Sequence, residues 1–112
     1  MLCAVLSCSD FHHHNISITI SDSEEYYKMR ARYNPLHAYN VDECMNKHLR
    51  KAGDMSFVHS RIKGNLSMND GTKFYIEKSP GYLEIKFNKH ENSTSSYQEI
   101  KSLAEDLKHA VQ

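Results

Sequence analysis

The chain has 112 residues, of which 39% are hydrophobic and 25% charged, with 14 acidic residues balancing 14 basic ones. That is one domain of ordinary soluble composition, large enough to bury a core without disulfides or a metal. A formal net charge of zero excludes a global field that would gather nucleic acid or an anionic membrane, so electrostatic recognition must come from local clustering.

At the start, "MLCAVLSC" is apolar but far short of the roughly 20 residues that span a bilayer, and it has no basic region like that of a signal peptide. It reads as a strand or the start of a helix. The three cysteines, Cys3, Cys8 and Cys44, are odd in number and widely spaced, which argues against a disulfide framework and suits a reducing, cytoplasmic compartment. In that compartment the sequons at Asn15, Asn65 and Asn92 carry no weight.

"CSDFHHHN" is the one local cluster with metal-ligand chemistry. Cys8, His12 and His14 are its candidates, since adjacent histidines on a strand point to opposite faces. A structural zinc site needs four ligands, and no spaced partner pair is present, so no metal or other cofactor is expected.

"NISITI" alternates Ile16, Ile18 and Ile20 with Ser17 and Thr19, the pattern of a half-buried strand. "SDSEE" is a polar turn. "YYKMRARY" returns as the second arm of a hairpin, with Tyr27, Met29, Ala31 and Tyr33 inward and Lys28, Arg30 and Arg32 outward. Asn34-Pro35 ends it, because proline cannot continue the ladder.

"NVDECMNKHLRKAG" predicts a helix over 41–52. Asn40 is placed to cap it and Gly53 to end it, with Val41, Cys44, Met45, His48, Leu49 and Ala52 on one face. From Met55 to Lys89 the period returns to two. Ile62, Gly64 and Leu66 oppose His59, Arg61 and Lys63. Asp70-Gly71 is a hairpin turn, and Phe74 and Ile76 face the core. Ser79-Pro80-Gly81 is a second turn, followed by Leu83, Ile85 and Phe87 on one side. The last element predicts a helix over 95–111, with Ser96 and Glu99 as a capping box and Tyr97, Ile100, Leu103, Ala104, Leu107, Ala110 and Val111 as its apolar stripe.

The expected fold is therefore α+β: a single antiparallel sheet of about five strands, with both helices packed on one face and the domain spanning 1–112. The opposite face would carry Lys28, Arg30, Arg32, His59, Arg61, Lys63, Lys73 and Lys86, interleaved with Tyr75, Tyr82, Glu77 and Glu84. Beside this basic face lies an acidic hairpin tip of Asp22, Glu24 and Glu25. A surface with two signs of charge steers and orients a charged protein partner.

Catalytic signatures are missing from the sequence. It contains no Gly-rich phosphate loop, nucleophile elbow or paired-carboxylate motif, and its histidines are scattered. Cys44 and His48 stand one helical turn apart, but on the apolar face, where cysteine is inert. In size and texture, as a small, charge-patterned α+β chain without a catalytic signature, it resembles bacterial immunity proteins, antitoxins and phage-encoded inhibitors. This is a likeness of build, not of motif. What it implies is a non-catalytic module that binds and neutralises a partner protein, such as a toxin or an enzyme, through Asp22, Glu24, Glu25, Lys28, Arg30, Arg32, Arg61 and Lys63. The first alternative is a nucleic-acid-binding domain using the same basic face, whose tyrosines would stack on bases. The second is a small metal- or His-dependent enzyme. No membrane partner is expected.

Overall fold

A computed structural model describes residues 16–49, 61–68 and 70–112. Two strands, β1 (Ser17–Asp22) and β2 (Tyr26–Arg32), precede helix α1 (Ala38–Leu49). Strands β3 (Ile62–Ser67), β4 (Lys73–Ser79) and β5 (Tyr82–Asn88) follow, and helix α2 (Thr94–Ala110) closes the chain. All strand pairings are antiparallel, in the order β1-β2-β5-β4-β3. The expected α+β class and the order of its elements hold. The expected N-terminal segment, with Cys8, His12 and His14, lies outside the described residues, as do His59 and Gly53.

The core forms between one sheet face and one stripe of each helix. Met29, Ile85 and Ile76 lie in one cross-strand row and are fully buried. Val41, Met45 and Leu49 of α1 and Ile100, Leu103, Ala104 and Leu107 of α2 pack on them in a single cluster. Ile18 and Ile20 of edge strand β1 are only half-buried. Strand alternation alone accounts for the sidedness, since successive side chains point to opposite faces.

The turns obey local chemistry. Gly81, at the second central position of the Pro80-Gly81 turn, has φ +89°, which disfavours any side chain there. Its carbonyl accepts from the Tyr33 backbone N–H at 3.0 Å, tying the end of β2 to this turn. Both helices begin earlier than the sequence reading places them. Asn34 accepts from the Leu36 N–H at 2.9 Å and Pro35 follows at the first position of a 3-10 turn, the arrangement that opens a helix. The turn runs directly into α1, so Asn40 falls inside the helix. In α2 the cap is Ser93, which accepts from the Ser96 N–H at 3.0 Å. Ser96 is instead buried and bonded to the Thr72 hydroxyl at 2.6 Å.

Candidate functional site

The face opposite the helices is covered by no described element. Its rows follow from the register. Ser21, Lys28, Lys86, Tyr75 and Asn65 form one row across the five strands; Thr19, Arg30, Glu84, Glu77 and Lys63 form the next. Ser17, Arg32, Tyr82 and Ser79 form a third. Lys28, Arg30, Arg32, Lys63 and Lys86 are exposed, and so is Arg61, just before β3. The sheet thus brings Lys28, Arg30, Arg32 and Lys63 onto one face, where the sequence reading puts them. Lys28 to Arg32 is four residues, roughly 13 Å along the strand.

On this face two like-charge pairs meet across strands, a pattern that single-strand reading does not reveal. Lys28 stands directly opposite Lys86, and Glu77 directly opposite Glu84. Each carboxylate accepts from a tyrosine on its own strand: Tyr75 Oη to Glu77 at 3.3 Å and Tyr82 Oη to Glu84 at 3.0 Å. Partial burial, then the adjoining carboxylate, raises both phenol pKa values. Arg30 approaches Glu84 at 3.7 Å. The Arg32 guanidinium lies 5.0 Å from the Tyr82 ring centre, and the Lys86 ammonium 5.2 Å from that of Tyr26. The tyrosines thereby hold the cations against the sheet at little cost in charge.

The acidic tip differs from expectation in one residue. Glu24 and Glu25 are exposed in the β1–β2 turn. Asp22 shares the parity of Ile18 and Ile20, so its carboxylate turns toward α2. There it accepts from Lys89 Nζ and Tyr97 Oη, each at 2.6 Å. Burial would push its pKa up, but these two hydrogen bonds outweigh it and hold the carboxyl below its ordinary 3.8. The Tyr97 phenol is correspondingly pushed up to about 12, first by burial and then by the Asp22 carboxylate. Asp22 therefore latches the hairpin to the helix layer.

Sequence reasoning also missed a buried ion pair. Lys78 shares the parity of Phe74 and Ile76, and its ammonium meets Asp42 of α1 at 2.6 Å. The two side chains are only 3% and 6% exposed. They line a cleft of about 440 Å³ whose other walls are Tyr33, Pro35, Leu36, Ala38, Tyr39, Arg61, Ser79 and Pro80.

Among the described residues no three His, Cys, Asp or Glu side chains are grouped as metal ligands. Cys44 is half-buried, and its thiol is pushed up to about 11 by burial and by Asp106, which leaves it protonated at neutral pH and a weak nucleophile. His48 Nε2 meets the same Asp106 of α2 at 2.6 Å. Among the described residues, no helix is long and apolar enough to cross a membrane.

Fold and face together define a two-layer α+β protein with a charged sheet surface. No protein family, curated protein or solved structure matches the chain.

Proposed function

We propose that the protein is a non-catalytic binding module of the inhibitor type, which docks an acidic protein partner on its open sheet face and neutralises it. The observation that carries this reading is the Lys28–Lys86 pair. Like charges directly opposite on neighbouring strands destabilise a sheet, a cost set against the Lys86 contact with the Tyr26 ring. A carboxylate on a partner, placed between the two ammonium groups, would relieve it. Arg30, Arg32, Arg61 and Lys63 extend the same field, and Glu24 and Glu25 at the far tip would set orientation. The central Glu77 and Glu84 favour a protein partner over nucleic acid. They place two carboxylates where a phosphate backbone would have to run.

The test begins with partners captured from the native host and identified by mass spectrometry. The purified partner is then titrated with wild-type chain and with Lys28→Glu combined with Lys86→Glu. A thermal melt checks that the double variant is folded, because its carboxylates stand in the row beside Glu84 and Glu77 and Lys86 leaves the Tyr26 ring. Affinity should fall at least tenfold, about 1.4 kcal/mol. Wild-type affinity in a folded double variant would end the proposal. Tight, salt-sensitive binding of duplex or single-stranded nucleic acid would replace it with the alternative.

A further inference from the structure

Leu36 and Tyr39 are the exposed large hydrophobic residues among the described ones, at 85% and 53%. Both line the 440 Å³ cleft at the Pro80-Gly81 end of the sheet. That volume lies within the range of ligand pockets. The cleft is pre-formed, because rigid groups build its rim. Pro35 and Pro80 have fixed backbones. The Tyr33 N–H donates to Gly81 O at 3.0 Å and the His37 N–H to Asn34 O at 2.9 Å. The mouth is cationic: Arg61 lines it and also lines the shallower depression beside Lys63 and Glu77. Arg32 lies in the same cross-strand row as Ser79 of the wall. Arg61 and Ser79 line both depressions, so the cleft adjoins the Lys63 edge of the basic face.

We propose that this cleft is the anchor pocket of the docking surface, taking one large apolar or aromatic side chain of an acidic protein segment while Arg61 takes a neighbouring carboxylate. The inference rests on the open-face reading and adds to it the partner's chemistry. Interfaces draw most of their affinity from a few buried aromatic or arginine anchors ringed by weaker contacts. Here the proline-bounded walls supply the pocket, and Arg61 supplies the sign. A rigid pocket loses little freedom on filling. The charge at the mouth selects an anchor flanked by acid over one flanked by base.

The test uses the full chain and three small probes followed by amide chemical shifts: N-acetyltryptophan, its uncharged amide, and tryptamine. All carry an indole, and they differ in charge. The amides of Leu36, Tyr39, Ser79 and Gly81 should shift, with the acid binding tightest and tryptamine weakest. One exposed charge pair separates acid from amide by about two- to fivefold. Arg61→Gln should bring the acid down to the level of the amide, while Leu36→Ser should weaken both. Shifts elsewhere only, or equal binding of the three probes, would overturn the proposal. So would probe binding that appears only after residues 50–60 are replaced by a Gly-Ser linker, because the occupant would then be the chain itself. Loss of partner binding in the Lys28/Lys86 reversal with no probe at the cleft would leave the open-face reading standing without its anchor.

Discussion

Asp42 and Lys78 lie 2.6 Å apart and almost wholly out of water, so their mutual attraction works against a desolvation cost on both charges. Removing one partner takes the nearest opposite charge away from a buried ion. Asp42→Ala should therefore cost about 3–5 kcal/mol, whereas Asp42→Leu with Lys78→Met should be near neutral or stabilising; urea unfolding of the three chains measures both. Asp22 behaves differently because its pair reaches solvent. Its pKa in the folded protein lies below 3.8, so the folded state binds the proton more weakly than the unfolded one. The stabilisation is complete above the unfolded value and is lost as pH falls through the folded one. Thermal melts of wild type and Asp22→Asn should converge as pH drops below about 4. Tyr97→Phe, which removes the 2.6 Å hydrogen bond to Asp22, should cost about 1 kcal/mol at neutral pH.

At the scale of elements, the open face sets stability against binding. Lys28→Glu alone turns the Lys28–Lys86 opposition into an attractive cross-strand pair. It should stabilise the sheet by about 0.2–1 kcal/mol while weakening the partner. A single variant that melts higher and binds worse would be hard to explain if the lysines were only solubilising. The elements themselves were legible wherever one periodicity ran long enough. β2 and β5 show their inner and outer faces in sequence, because both alternate without interruption. What escaped was the pairing of residues across strands. Lys28 and Lys86 are 58 positions apart, and only the order β1-β2-β5-β4-β3 makes them neighbours. Lys78 and Asp22 escaped for a different reason. Each follows its strand's alternation onto the core side, where a charged residue runs against the expectation that charge faces water. The true start of α1 was written in Asn34-Pro35, a cap followed by a first-turn proline. That dipeptide was read only as the end of β2.

At the scale of the whole molecule, zero formal charge does not mean that the charges described on the open face are evenly spread along it. Exposed Glu24 and Glu25 mark one end of the sheet and Arg32 and Arg61 the other, with the lysines between. Such a molecule is not drawn to every anion, since its net monopole vanishes; it is turned as it approaches one. Steering of this kind acts on encounter, and the salt-screening length shrinks from about 10 Å at 0.1 M to about 3 Å at 1 M. The partner's association rate should fall about tenfold or more across that range. The dissociation rate should change far less, because the anchor in the apolar cleft does not depend on salt. Stopped-flow or surface-based kinetics at several salt concentrations would measure both rates. An association rate indifferent to salt would mean that the cations on the open face do not guide the partner, and a dissociation rate that rises as steeply as association falls would mean that the apolar cleft does not hold it.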